Sequence, residues 1–209
     1  MPRLSLEEFK ARITNKDFTL IARDCVGGIL YHQLGLKFLS PTINLFFIPE
    51  EFNYFCLNLK EYISGEVVEL VDEKTPYPVG LIYPVKGSTV SRPVRVDFMH
   101  YDSFEMAKKK WDERKKRINW DNLFVLSTFC YPPEVATLTP QLINDWNAIK
   151  YKKAIIVDQK YDFDNEFVIE KPEDCQEFAW LLSPLDKSPS WRRVFNKFNF
   201  IKFLNSECK

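Results

Sequence analysis

The sequence predicts an α/β fold in which a mostly parallel or mixed sheet is flanked by helices. Continuous apolar runs such as Phe18–Ala22 and Asn122–Ser127 have the length and composition of buried strands. Segments with apolar residues at helical spacing lie between such runs, and this alternation is typical of βαβ units. Residues 80–99 depart from the pattern, because Val94–Phe98 alternates apolar and polar residues as in an antiparallel hairpin.

We expect a single α/β domain over residues 1–209, with residues 66–100 as a candidate smaller subdomain formed by a small antiparallel lobe. A chain of 209 residues can bury a core without disulfide or metal crosslinks. The apolar fraction of 45% argues against disorder.

The first half of the chain carries clear start signals for helices. Ser5 and Glu8 form a capping-box pattern, and Pro49 suits the first turn of a helix. The predicted order is a helix after Ser5, a strand at Phe18–Arg23, a helix from Ile29 to Gly35, a strand at Ile43–Ile48, a helix from Pro49 and strands at Glu66–Val71, Gly80–Val85 and Val94–Met99.

The second half continues with the same kinds of signal. Ser103 and Thr139-Pro140 are typical of helix starts. The predicted order is a helix at Phe104–Ile118, a strand at Asn122–Ser127, a helix from Pro140, a strand at Lys153–Asp158, a short strand at Phe167–Ile169, a helix from Lys171 and a tail helix at Trp191–Leu204.

Composition excludes several function classes. Lys plus Arg and Asp plus Glu number 29 each, so the chain lacks the net positive charge on which nucleic-acid binding depends. The lysine-rich run 108–117 is interrupted by Asp112 and Glu113, and it also fits a solvated helix face. No apolar run reaches the roughly 18 residues of a membrane span. We expect a cytoplasmic protein that binds no nucleic acid.

The five cysteines are widely spaced and form no CxxC pair, which indicates free thiols rather than a zinc or redox site. No HExxH, GxSxG, full GxGxxG or P-loop motif occurs. No metal site is predicted, and the sequence identifies no particular cofactor.

The stretch Asp24-Cys25-Val26-Gly27-Gly28 is the first candidate site. It follows a predicted strand and precedes a helix, the position where α/β folds bind ligands. Gly27 and Gly28 would let backbone N–H groups approach an anion at the helix start. Cys25 would feel the helix dipole and could be a thiolate. The alternative is a tight turn with a buried cysteine.

Arg23 and Asp24 stand at the end of the predicted strand, where their side chains could face this pocket. His32 lies on the helix that follows and is a further candidate contact, although a lone helical histidine is more often structural or solvated.

His100 is the second candidate. It is one of two histidines, and Asp97 and Asp102 lie close to it along the chain. Histidine carries protons near neutral pH, and a carboxylate can orient it. Strand alternation puts Asp97 on the opposite face from His100 and Asp102 on the same side. The alternative is that His100 merely caps the next helix.

The segments DCVGGILYHQLGL, SPTINLFFIPEEF, YPVG and FMHYDSFEMAKKKWDERKKRINWDNLFVL occur in that order. They resemble a family of uncharacterised bacterial domains often labelled exopolysaccharide- or capsule-biosynthesis-like. The resemblance spans Phe18–Ser127 and extends more loosely to Asp158. Asp24 and Val26 depart from its pattern, where asparagine and an aromatic residue are usual.

The resemblance implies a role in cell-surface polysaccharide biosynthesis and no established catalytic residues. The resulting hypothesis is a transferase-like enzyme acting on a sugar or nucleotide-sugar. His100 would be its acid or base, Asp24 or Cys25 would contact the substrate, and the glycine loop would hold an anionic group. The alternative is a non-catalytic accessory or ligand-binding protein.

Overall fold

The computed structural model describes residues 4–129, 137–169 and 198–207. The predicted helix from Lys171, most of the predicted tail helix, and Cys130, Cys175 and Cys208 lie outside these residues. The helices are α1 (Leu6–Arg12), α2 (Val26–Leu34), α3 (Pro49–Leu57), α4 (Leu59–Ser64), α5 (Phe104–Lys115), α6 (Pro140–Ala148) and α7 (Phe200–Leu204). The strands are β1 (Thr19–Ala22), β2 (Glu66–Leu70), β3 (Val79–Tyr83), β4 (Val94–Asp97), β5 (Leu123–Phe129), β6 (Lys152–Val157) and β7 (Glu166–Val168).

The described residues contain a parallel sheet of order β1-β5-β6-β7. Thr19 pairs with Leu123, Phe124 with Lys152, and Ile155 with Glu166. Both faces of this sheet are covered. Ile21, Val125 and Ile155 belong to a core with α3, α5 and α6, and alternate residues of the same strands belong to a second core with α1, α2 and α7. Burial on both faces explains the continuous apolar runs.

A separate antiparallel sheet has the order β2-β3-β4. Its inner face contributes Val67, Ile82, Val94 and Val96 to the core that covers one face of the parallel sheet. The α/β fold with flanking helices and an antiparallel part is therefore confirmed. The smaller subdomain over residues 66–100 stays a prediction, although it spans this sheet.

The prediction of a regular strand at Ile43–Ile48 is wrong. This extended segment instead links the two sheets. Phe47 N donates to Arg23 O over 3.0 Å, and Phe46 forms an isolated antiparallel bridge with Asp97. The segment therefore brings the end of β1 and the end of β4 into one region of the molecule.

The predicted helix starts at Ser5, Ser103 and Thr139 are confirmed by their caps, whereas α2 begins at Val26, three residues before the predicted Ile29. Ser5 and Glu8 form the reciprocal capping box of α1. The side chains of Ser103 and Thr139 accept from the backbone N–H groups of Met106 and Leu142. These caps satisfy N–H groups that have no partner within the helix.

Candidate functional site

Gly27 and Gly28 lie inside the first turn of α2 and are buried, so the expected open glycine loop is not found there. The bend between β1 and α2 consists of Arg23, Asp24 and Cys25. A Cβ atom on Gly27 would lie 2.7 Å from the Cβ of Ala22, and one on Gly28 would lie 3.3 Å from Ile43 Cγ2. These glycines let α2 pack closely on β1 and on the 41–44 segment. A role in holding an anion stays a prediction.

Arg23 and Asp24 form a buried ion pair at the carboxyl end of β1, and Arg23 Nη2 lies 3.0 Å from Asp24 Oδ2. Arg23 also donates to Phe47 O over 2.9 Å and to the Thr128 hydroxyl. The Thr128 hydroxyl donates to Asp24 Oδ2 over 2.6 Å, and Val26 N donates to Asp24 Oδ1 over 3.0 Å. This network ties β1, β5 and α2 together, so both side chains already have protein partners.

Cys25 begins α2 but is not a thiolate. Burial raises the pKa of the Cys25 thiol to about 12, and the negative charge of Asp24 adds to this effect. The favourable helix dipole is therefore outweighed by desolvation, because an ionised thiol is costly away from water. The expectation of a thiolate at Cys25 is wrong at neutral pH.

His32 lies in the last turn of α2 and is exposed. It follows Val26 by six residues, which is about 9 Å along a helix axis. His32 and Cys25 therefore lie near opposite ends of α2.

His100 follows β4 and is exposed. Its backbone N–H donates to Asn44 O over 3.4 Å. A Cβ atom added to Gly28 would lie 3.4 Å from Asn44 Oδ1. Asn44 has a left-handed backbone with φ of 62°. Asn44 thus lies close to both Gly28 and the backbone of His100.

A surface groove with a volume of about 910 Å³ lies beside His100. Three stretches of chain line it: Glu69 at the end of β2, residues 75–78 before β3, and residues 99–105 between β4 and the first turn of α5. The lining includes His100 and Asp102 but none of residues 23–28 and not His32. Of the predicted site residues, the groove therefore contains His100 alone.

Tyr101 holds the His100 segment in place. Its hydroxyl donates to Ile43 O over 2.9 Å and accepts from Arg114 Nη1 over 2.6 Å. Burial raises the pKa of the Tyr101 hydroxyl, while the positive charge of Arg114 opposes that shift. The guanidinium of Arg114 also lies 5.1 Å from the centre of the Phe38 ring. These contacts fix the wall of the groove against both α5 and the 41–44 segment.

Asp97 does not orient His100, because it is buried and paired with Arg95. Arg95 Nη2 lies 2.8 Å from Asp97 Oδ1, and Arg95 Nη1 lies 2.9 Å from Asp72 Oδ2. Arg95 thus joins two carboxylates, and the contact with Asp97 is the main cause that raises the pKa of its guanidinium. Asp102 lines the groove together with His100. Strand alternation does not apply between them, because β4 ends at Asp97 and His100 lies in a turn.

Sequence reasoning missed Glu69, Tyr77 and Glu105 as groove residues. Tyr77 packs edge-on against Phe46 with ring centres 6.0 Å apart, and Glu69 reaches the groove from a strand far away in sequence. The YPVG motif contained Tyr77 and was the one signal that pointed to this region.

The sequence profile of the family described as "Domain of unknown function (DUF1919)" matches residues 4–205. The chain belongs to the DUF1919 family. A relative from Haemophilus influenzae, described as "Uncharacterized protein", is 26% identical over 206 residues, which cover 93% of this chain and 87% of the relative. The predicted membership of a family of uncharacterised bacterial domains is confirmed at this level.

Two further properties of this DUF1919 chain concern its described residues. None of their helices is both long and apolar enough to cross a membrane. Within the same residues, no group of three or more His, Cys, Asp or Glu side chains is arranged to hold a metal ion.

Proposed function

We propose that this protein is a transferase-like enzyme of cell-surface polysaccharide biosynthesis that binds a saccharide in the groove beside His100. The observation that carries the proposal is the combination of aromatic rings and carboxylates along one groove of about 910 Å³. The biosynthetic context is the one that the family resemblance implies, and it serves as an associational argument only.

The chemistry of the lining suits a sugar. Tyr77 and Phe104 are partly exposed and line the groove, and their rings can pack against the apolar C–H face of a pyranose. Asp102 and Glu69 are exposed acceptors, and sugar hydroxyls are donors that carboxylates bind well. Most of the exposed lining of the groove is polar, which suits a hydroxyl-rich ligand.

His100 is the residue that we assign to acid–base chemistry. It is exposed and lines the groove together with Asp102. In a transfer reaction the acceptor oxygen bonds to the transferred group while the bond from that group to the donor's leaving group breaks, and the leaving group departs with the electron pair. The acceptor hydroxyl loses its proton in this step, and histidine is suited to accept it near neutral pH.

A non-catalytic saccharide-binding protein is the second candidate. It is favoured by the lining of the groove, which excludes Asp24 and Cys25. Without those two residues, the groove can bind a sugar and has no thiol nucleophile.

The test is ligand-observed NMR with a panel of mono- and oligosaccharides, together with turnover of activated sugar donors. Tyr77→Ala should weaken saccharide binding about tenfold, because it removes an aromatic contact surface. His100→Asn should keep binding and abolish turnover. His32→Asn is the matched control, since His32 is exposed and outside the groove.

Saccharide binding without turnover by the unmodified protein would favour the second candidate. Absence of saccharide binding, or binding that Tyr77→Ala leaves unchanged, would contradict the proposal.

A further inference from the structure

We propose that the saccharide bound in the His100 groove carries a positive charge, as an amino sugar does. This inference rests on the proposed function and names its substrate class. The groove lining contains the carboxylates of Glu69, Asp102 and Glu105, and no lysine or arginine occurs among the described residues that line it. The carboxylates that line the groove are therefore not offset by a lysine or arginine in the same lining.

These carboxylates differ from the acidic residues behind the groove. Asp72 and Asp97 are both paired with Arg95. Within residues 4–129, 137–169 and 198–207, by contrast, neither Glu69 nor Asp102 forms an ion pair. Their charge is thus available to a ligand, whereas the charge of Asp97 is balanced inside the protein.

Glu105 is held in the ionised form at the start of α5. Its own backbone N–H and the Ser103 hydroxyl lower the pKa of its carboxyl group. Since Glu105 is also in the first turn of a helix, the helix dipole favours its negative charge.

The aromatic residues of the groove act in the same direction. The faces of Tyr77 and Phe104 are electron-rich and attract an ammonium group. A nucleotide-sugar carries a negatively charged diphosphate, and three carboxylates without a lysine or arginine repel it. The lining thus favours an ammonium-bearing sugar over an anionic nucleotide-sugar.

The test compares four probes in ligand-observed NMR titrations at neutral pH: glucosamine, N-acetylglucosamine, glucose and UDP-glucose. Glucosamine and glucose have similar shape and differ in the ammonium group. We expect glucosamine to bind about fivefold more tightly than glucose at roughly 20 mM salt, with the ratio approaching one at roughly 500 mM salt. UDP-glucose should bind more weakly than glucose.

The variants Glu69→Gln and Asp102→Asn should each reduce the preference for glucosamine while glucose binding is retained. Glu50→Gln is the control, because Glu50 is exposed on α3 and lies outside the groove. It should leave the preference unchanged.

Equal affinity for glucosamine and glucose would overturn the charge inference and leave the saccharide site intact. Tighter binding of UDP-glucose would also overturn it. If none of the four probes binds, the proposed function fails and the inference fails with it.

Discussion

Replacement of Gly27 by alanine is expected to destabilise the protein. The added Cβ would lie 2.7 Å from the Cβ of Ala22, a distance that carbon atoms do not tolerate without movement. Neither atom is at the end of a flexible side chain, so α2 must move away from β1. Overpacking of this kind costs about 1–3 kcal/mol, and the better helix propensity of alanine offsets about 1 kcal/mol.

Because an approach of 2.7 Å is shorter than real Cβ contacts, we take the upper half of that range, about 2–3 kcal/mol. The net loss for Gly27→Ala is then about 1–2 kcal/mol, which corresponds to a fall of roughly 5 °C in Tm for a chain of this size. Gly28→Ala is the matched control in the same helical turn. Its Cβ would lie 3.3 Å from Ile43 Cγ2 and 3.4 Å from Asn44 Oδ1, so small side-chain shifts can accommodate it. We expect a change within about 1 kcal/mol of the wild type.

Urea unfolding followed by circular dichroism measures the free energy of unfolding of both variants. Equal m-values, the slopes of that free energy against urea concentration, show that the comparison is valid. The reasoning is refuted if Gly27→Ala is as stable as the wild type, or if Gly28→Ala is the more damaging change. If both variants fold normally and instead lose an anionic ligand, the glycine pair serves as the anion site that the sequence suggested.

Two further predictions concern the bend between β1 and α2. Asp24→Ala should cost about 3–5 kcal/mol in urea unfolding, because it removes the carboxylate facing the buried Arg23 guanidinium. Glu7→Ala, which breaks the exposed pair with Lys10, is the control and should change the stability only marginally. Equal losses of stability in Asp24→Ala and Glu7→Ala would contradict the reasoning that burial makes the Arg23–Asp24 pair the more important one. Cys25 in the folded chain should react with iodoacetamide at about pH 8.5 at least tenfold more slowly than in the urea-unfolded chain, as measured by peptide mass spectrometry. Since burial raises the pKa of Cys25 to about 12, its contribution to folding stability is present below about pH 8.5 and declines as the pH rises towards 12; equal labelling rates in the two states would refute this.

Local signals in the sequence were sufficient for most helices and strands. The capping box at Ser5, the cap at Ser103 and the proline at Pro140 act within a few residues of the elements that they begin. The run Leu123–Phe129 is apolar over most of its length because both faces of its sheet are covered.

The glycine pair shows where local signals were insufficient. In a sequence, adjacent glycines after a strand are equally consistent with an open loop and with a closely packed helix start. In the structure a Cβ atom added to Gly27 would clash with the Cβ of Ala22, which fits the closely packed helix start. That spacing depends on how α2 packs against β1. Local signals were also insufficient for the pKa of the Cys25 thiol. That pKa depends on burial as well as on the position of Cys25 at the start of a helix.

The segment 43–48 illustrates the same limit for strands. Its apolar composition predicts burial, and Ile43, Leu45 and Phe47 are indeed buried. Membership of a sheet requires a partner along the whole run, and only Phe46 has a bridge partner here, Asp97.

For this protein the sequence by itself determined the α/β class, most helix starts and the position of His100 after a strand, because these depend on interactions between near neighbours. Only the tertiary structure decided that Phe47 and Thr128 hold the Arg23–Asp24 pair in a buried network, and that Glu69, Tyr77 and His100 line one groove. Those contacts join residues far apart in the chain, and folding alone brings them together.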